Sequence, residues 1–269
     1  GRREMPDALV YQDGDLEQLS RNGSFLGQHI YTPMRGVAVH INAFNFPVWG
    51  MLEKLAPTLL AGMPAIVKPA TSTCYVAEAC VRMMLESGLL PKGAVQLVSG
   101  GLGDMLDRLK TQDAVAFTGS ADTALMLRSA PNIVENGIRF ASEQDSLNAS
   151  ILGPDAKPNT PEFDLFIKEV SREMTAKAGQ KCTAIRRIIA PEDCQQAIID
   201  ALSVRLGKTT IGDPRSEGTR MGALVSNGQR QDVLKIGMVK LIHCRNACSS
   251  CRLALEAGSI LTLRIEYYA

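Results

Sequence analysis

Arg35-Gly-Val-Ala-Val-His-Ile41, Ala65-Ile-Val-Lys68, Ala94-Val-Gln-Leu-Val98 and Asp113-Ala-Val-Ala-Phe117 decide the fold. Each is a short run rich in β-branched residues, and a longer helical stretch separates it from the next. The first reads as a buried strand followed by an apolar helix over about 47–60. The second is closed by Pro69, and Ser72 then stands where the N-cap of a helix belongs, with Gly88 and Pro91 at its far end. A helix over about 104–110 follows the third strand. The fourth enters Thr118-Gly-Ser120 and a helix to about Ser129, and Ile138-Arg-Phe-Ala-Ser142 reads as a fifth strand. Four strand–helix units in roughly a hundred residues imply a parallel sheet with helices on both faces. Right-handed crossovers make it a doubly wound α/β fold, with its ligand at the carboxyl ends of the strands.

Beyond Ile151 the character changes. Gly153-Pro-Asp-Ala-Lys-Pro-Asn-Thr-Pro161 reads as a linker or domain crossing. A long helix over about 162–178 follows, then the segment Gly179-Gln-Lys-Cys-Thr183, a strand over 186–190 and a helix from Pro191. No internal repeat or low-complexity tract is visible.

Composition bounds the function. Lys and Arg number 29 against 28 Asp and Glu, a net charge of +1, so no basic surplus exists to neutralise nucleic-acid phosphates. The longest nearly apolar run, 55–67, is broken by Pro57, Gly62 and Pro64 and is too short to span a membrane. The opening Gly-Arg-Arg-Glu-Met-Pro-Asp has no apolar run behind its charges, so no signal peptide is expected; without an initiator Met, the true start is expected upstream. Seven cysteines, an odd number, argue against a disulfide framework and for the reducing cytoplasm.

Local motifs taken singly are ambiguous. Gly100-Gly-Leu-Gly103 opens a strand-to-helix turn, but Leu106 replaces the third glycine of a dinucleotide fingerprint. At Phe117-Thr-Gly-Ser120, Ser120 and a helix N-terminus suit a phosphate or an ordinary N-cap equally well. Cys182 lies in Gly-Gln-Lys-Cys-Thr-Ala with Lys177 and Lys181 near in sequence, which favours a thiolate, yet a small buried thiol would read the same.

Order separates these readings. Asn42-Ala-Phe-Asn-Phe-Pro-Val-Trp49, Ile66-Val-Lys-Pro-Ala70, Glu86-Ser-Gly-Leu-Leu-Pro-Lys-Gly93, Phe117-Thr-Gly-Ser120, Glu143, Gly179-Gln-Lys-Cys182 and Gly212-Asp-Pro214 with Met221-Gly222 form an ordered series. The series closely resembles the aldehyde dehydrogenase superfamily over about 30–230. Glu143-Gln-Asp-Ser-Leu-Asn148 and Lys177-Ala-Gly-Gln-Lys-Cys-Thr-Ala-Ile-Arg-Arg187 look like the aldehyde dehydrogenase module of the bifunctional ring-opening enzyme of phenylacetate degradation, where it is fused to an enoyl-CoA-hydratase-like domain. The dehydroadipyl-CoA semialdehyde dehydrogenase of the benzoyl-CoA pathway is a near relative.

The resemblance implies an NAD(P)-binding Rossmann-like domain over 35–150 and part of a catalytic domain over 151–234, after an N-terminal remnant at 1–34. It implies oxidation of an aldehyde, here a CoA-linked semialdehyde, with Cys182 as nucleophile. Asn45 and the Cys182 backbone N–H would hold the oxyanion, one such donor being worth roughly 3–4 kcal/mol. Glu143 would activate the hydrolytic water, which favours a carboxylate tuned upward. Lys68 matches the lysine at the adenosine ribose. Thr71 stands where NAD-preferring relatives often carry glutamate, which implies NADP, with NAD as the alternative. Phe46, Gly119 and Ser120 complete the implied cofactor contacts, and the family assembles as homo-oligomers.

The pattern also departs. A complete module is expected to begin before Gly1 and to run on through a Glu-x-Phe-Gly-Pro segment and oligomerisation strands that this sequence lacks, so a non-catalytic piece that binds nucleotide or a partner is the alternative expectation. After about Leu234 the resemblance stops, as a shifted or misjoined reading frame would produce, so residues 235–269 are read as an anomalous tail. Its Cys244-x₃-Cys248-x₂-Cys251 has the spacing of a radical-SAM triad, but only eighteen residues follow it. His243 directly abuts Cys244, which strains a zinc cage, so no metal is expected.

Overall fold

A computed structural model describes residues 7–236, 240–242 and 260–264, in two compact units, Gly1–Gln144 and Asp145–Ala269. The first opens with an antiparallel hairpin of β1 (Tyr11–Gln18) and β2 (Leu26–Tyr31), its Tyr11 and Tyr31 rings stacked 5.0 Å apart. Then come β3 (Ala38–Ile41), α1 (Trp49–Leu60), β4 (Ala65–Lys68), α2 (Cys74–Glu86), β5 (Val95–Leu97), β6 (Ala114–Gly119), α3 (Ala121–Arg128), α4 (Pro131–Glu135) and β7 (Arg139–Gln144). The five strands from β3 onward form one parallel sheet in the order β5-β4-β3-β6-β7. Chain order reverses between β3 and β6, which opens a crevice at their carboxyl ends. The doubly wound architecture read from the sequence is present.

All four residues of β3 are buried, as the central strand of a sheet covered on both faces requires. On one face Met51 and Leu55 of α1 pack with Ala77 and Val81 of α2 against Ala65, Val67 and Val95. On the other, Val39, Ile41, Val115 and Phe117 meet Ala124 of α3 and Ile133 of α4. Each large apolar side chain so buried contributes about 1.5–3 kcal/mol. The amino ends of β3 and β6 are joined by Asp113, 9% exposed, whose carboxylate accepts the N–H of Val37 and of Lys110, both at 2.7 Å. Gly36 beside it has φ +100, and a Cβ there would stand 2.6 Å from the Gln112 carbonyl oxygen.

The second unit contains β8 (Ala149–Ile151), α5 (Pro161–Thr175), β9 (Arg187–Pro191), α6 (Gln195–Gly207), α7 (Asn227–Ile236), β10 (Lys240–Ile242) and β11 (Ile260–Arg264). Its sheet runs β10-β11-β9-β8, parallel between β8 and β9 and antiparallel elsewhere. Thr160 caps α5 by accepting the Phe163 N–H at 3.3 Å, with Pro161 in the first turn. The spacing of Phe163, Phe166, Ile167 and Val170 turns one face of α5 onto Ile188 and Ala190 of β9 and Ile198 and Leu202 of α6.

Several local expectations are corrected. A 3₁₀ turn, Thr71–Thr73, precedes α2, so Ser72 is not its N-cap; Thr73 Oγ1 instead donates to the Phe44 carbonyl at 3.3 Å. The helix expected over 104–110 is a 3₁₀ turn, Met105–Arg108, entered from Gly100 and Gly103 at positive φ. The long helix stops at Thr175 rather than 178, because Lys177, Ala178 and Gly179 have φ of 53°, 55° and 74°. The two compact units meet at Gln144 and Asp145, and β8 pairs with β9 in the second sheet. The cysteines at 244, 248 and 251 and the adjoining His243 lie outside the described residues.

His40 of β3 is 1% exposed, with Nε2 3.0 Å from Thr58 Oγ1 of α1. Burial first, and the Lys54 ammonium second, push its pKa down from 6.5 to about 4. The folded ring stays neutral while the unfolded one takes a proton, so stability falls as pH drops from 6.5 toward 4. We expect the parent to lose roughly 2–3 kcal/mol more than His40→Gln over that window in urea titrations; parallel losses would remove His40 as the cause.

Candidate active site

The carboxyl edge of the first sheet collects most of the residues singled out above. Ile41 pairs with Lys68 across β3 and β4, and Thr118 with Glu143 across β6 and β7. Asn42 leaves β3 with its N–H on the Lys68 carbonyl at 3.0 Å. Its side chain is 4% exposed, and neither Oδ1 nor Nδ2 has a hydrogen-bond partner. A buried, orphaned amide at the switch point is a polar anchor suited to a polar ligand. Asn45 and Phe46 follow, partly buried, in the turn before α1, where the Phe46 ring meets Trp49 edge-on at 5.1 Å.

Lys68 is partly buried at the end of β4, and Thr71 is exposed on the 3₁₀ turn that follows. Ser120 caps α3, accepting the Thr123 N–H at 3.3 Å and donating to Thr123 Oγ1 at 2.9 Å. It therefore fills the ordinary capping role, while its oxygen stays at an exposed helix N-terminus. Gly119 lies just before it, and a Cβ there would come 2.5 Å from the Phe117 ring. Gly100, Gly101 and Gly103 have nothing within 4 Å of an added Cβ, so no close approach explains them. The sheet order, the orphaned Asn42 amide and the lysine at the end of β4 fit a dinucleotide.

Lys54 was not singled out from the sequence. Its Nζ donates to Thr118 Oγ1 at 2.7 Å and to the Gly50 carbonyl at 3.3 Å, bridging α1 to the end of β6. Burial pulls its ammonium below the ordinary lysine range, against the attraction of Glu143 and Glu53. Lys54, Thr118 and the exposed Glu143 thus form one charged group at this edge. The signal was a cation on the predicted helix 47–60, which a solvated surface lysine would give equally.

Cys182 belongs to the second unit and is partly buried on the loop before β9. Its own carbonyl accepts hydrogen bonds from Ser146 Oγ and from Asn148 Nδ2. The Asn148 backbone carbonyl in turn accepts the N–H groups of Arg186 and Arg187. Gln180 Oε1 accepts the Val225 N–H at 3.0 Å, tying the loop to the segment after Met221-Gly222. Lys181, read from the sequence as favouring a thiolate, is ion-paired to Glu173 of α5 at 2.7 Å, so it presents Cys182 with a neutralised pair. Among the described residues no group of three metal-ligating side chains converges, and no helix is long and apolar enough to cross a membrane.

The family model described as the aldehyde dehydrogenase family matches residues 9–241, and the chain belongs to that family. The chain is 52% identical over 230 residues to a 3,4-dehydroadipyl-CoA semialdehyde dehydrogenase of Aromatoleum evansii, covering 86% of this chain and 44% of that protein. It is 30% identical over 202 residues to an α-ketoglutaric semialdehyde dehydrogenase of Bacillus subtilis, covering 74% of this chain and 40% of the relative. Its fold matches the crystal structure of a betaine aldehyde dehydrogenase from Staphylococcus aureus in complex with NAD+, with TM-score 0.67 and 27% identity over 77% of this chain and 41% of that one. The chain therefore spans less than half the length of these relatives.

Asn148→Ala should leave the Cys182 carbonyl with one side-chain donor fewer, at a cost of roughly 0.5–1.5 kcal/mol. Cys182 should then be alkylated faster by iodoacetamide. Unchanged unfolding and alkylation together would show that the Asn148 contact does not hold the loop.

Proposed function

We propose that this member of the aldehyde dehydrogenase family oxidises a CoA-linked semialdehyde of aromatic-acid degradation to the carboxylic acid, using NADP. The observation that carries the reading is Cys182 itself, part-exposed on a loop whose backbone is pinned from Ser146 and Asn148. A thiolate there adds to the aldehyde carbon, giving a thiohemiacetal whose oxyanion takes the Cys182 N–H and the Asn45 side-chain amide as donors. A nicotinamide dinucleotide held at the first unit supplies the hydride acceptor, and the carbon is left as a thioester on Cys182. Glu143 takes a proton from the water that cleaves the thioester, and the acid leaves as the thiol is restored. Lys54, bonded to Thr118, sets a positive charge near Glu143 at the sheet edge.

The cofactor is assigned to residues 35–150 and the nucleophile to 151–234, as the motif order implies. Lys68 holds the adenosine ribose, Phe46 and Gly119 line the path, and Ser120 faces the phosphates. Thr71 favours NADP because a neutral hydroxyl sets no negative charge against a 2′-phosphate. The CoA handle rests on the likeness to the Aromatoleum evansii protein and on the Glu143-to-Asn148 and Lys177-to-Arg187 segments. Cytoplasmic location rests on the odd cysteine count, and homo-oligomeric assembly on family membership.

Rapid mixing of the chain with NADP and a medium-chain aldehyde tests the reading. A burst of reduced cofactor near one equivalent per chain is expected, absent in Cys182→Ala. Glu143→Gln should keep the burst and lose steady-state turnover. Thr71→Glu should weaken NADP relative to NAD by roughly tenfold or more. A burst that survives in Cys182→Ala would sink the proposal.

A further inference from the structure

Arg186 is 5% exposed, and a guanidinium so buried is costly unless its hydrogen bonds are spent on something. Its Nη2 donates to the Gly179 carbonyl at 3.1 Å and the Lys181 carbonyl at 3.4 Å. Its Nη1 lies 3.7 Å from where a Cβ on Gly179 would stand, so the side chain fills the inside of the loop that carries Cys182. That loop is strained. Lys177 and Ala178 adopt left-handed φ of 53° and 55°, a conformation costing roughly 1–2 kcal/mol per non-glycine residue, and they hold it only if their surroundings enforce it.

The Lys181 carbonyl and the Cys182 N–H are the two ends of one peptide group. That carbonyl also accepts the Ala184 N–H at 3.2 Å, so two donors from one side fix the plane of the peptide. The Cys182 N–H must then point the opposite way. Charge-assisted donation to a carbonyl also draws electron density from the amide, which strengthens its N–H as a donor. On the far side of Cys182, Ser146 and Asn148 hold the next carbonyl, and the Arg186 N–H donates to Asn148 at 2.9 Å. Both peptide groups flanking the thiol are therefore held: the Arg186 guanidinium bonds the first directly, and its backbone N–H bonds Asn148, whose side chain holds the second.

We propose that Arg186 is a positioning residue for acyl transfer at Cys182: its guanidinium aligns and polarises the Lys181–Cys182 peptide, so that the Cys182 N–H stands ready for the oxyanion. This rests on Cys182 being the nucleophile, and it adds a charged group four residues beyond the thiol.

The sequence supplies a direct probe, because Lys-Cys occurs once in the chain, at Lys181-Cys182. Protein labelled with carbonyl-¹³C lysine and ¹⁵N cysteine gives a single HNCO peak, which reports this peptide alone. In Arg186→Met the carbonyl-carbon and amide-proton resonances should both move upfield. The burst rate constant should fall roughly tenfold, a part of the 10²–10³ lost when an oxyanion donor is removed outright. Alkylation of Cys182 by iodoacetamide, read on its peptide by mass spectrometry, should stay within about twofold of the parent, since displacement of iodide by the sulfur creates no oxyanion. Loop collapse would change the alkylation rate along with the burst, and that result would overturn the proposal, as would an unmoved peak or an unchanged burst.

If Arg186→Met does not fold, Arg186→Lys carries the same readouts. A single ammonium cannot reproduce the planar fork across two carbonyls, so intermediate shifts and rates are expected, and parent-like values would overturn the proposal. A burst that persists in Cys182→Ala would instead retire the nucleophile reading, and a parent with no burst would retire turnover by this chain. In both cases the HNCO peak alone decides whether Arg186 sets the peptide.

Discussion

The carboxyl edge of the first unit depends on where β3 and β6 begin, and Asp113 sets both beginnings. Its carboxylate takes the Val37 N–H ahead of β3 and the Lys110 N–H ahead of β6. With the amino ends joined, parallel pairing carries the alignment along the sheet, Ala38 beside Ala114 and Ile41 beside Phe117. A slip of one residue would turn Val39 and Ile41 out of the apolar layer they share with Val115 and Phe117. Asn42 then emerges level with Thr118, and Thr118 beside Glu143. The residues at the edge inherit their alignment from a hydrogen-bonded carboxylate at the opposite end of the strands.

The two units meet the demands of chemistry in different ways. In the first, regular strands deliver side chains to a common edge, and the crevice follows from strand order. In the second, the thiol sits on irregular backbone, where no sheet or helix ladder satisfies the peptide groups. There the work passes to side chains: Ser146, Asn148, Gln180 and Arg186 each bond a main-chain atom. Loop sites need such support because each unpaired buried peptide group costs roughly 1–3 kcal/mol.

Sequence legibility divides along the same line. The strands at 65–68 and around 38–41, 95–97 and 114–119 show as β-branched runs, and right-handed crossovers lead from them to the doubly wound class. The family follows from motif order rather than from any single residue. What the sequence hides is local and three-dimensional. Nothing around Lys54 announces that α1 will aim its ammonium at Thr118. Nothing before Cys182 shows that α5 stops at Thr175, because Lys177 and Ala178 are residues that would ordinarily continue a helix. Lys181 reads from the sequence, with Lys177, as a charge favouring a thiolate, because its partner Glu173 lies eight residues earlier on α5. The 3₁₀ turns at Thr71–Thr73 and Met105–Arg108 likewise depend on contacts, among them Thr73 with the Phe44 carbonyl.

The placement of β3 at the centre of its sheet also governs how the chain reaches its native state. β3 is made before either strand that flanks it. Its pairing with β4 needs only the short α1 crossover, but its other edge waits for β6, and the bond from Val37 to Asp113 closes a loop of 76 residues. Loop closure of that length is entropically unfavourable and grows only slowly with further length, so the delay is topological and cannot be shortened by trimming a turn. Until β6 arrives, this strand, whose four residues are all buried in the finished fold, presents an open hydrogen-bonding edge to the solvent and to other chains. Yield during expression should therefore track how fast residues 42–113 collapse, more than it tracks the final stability of the fold.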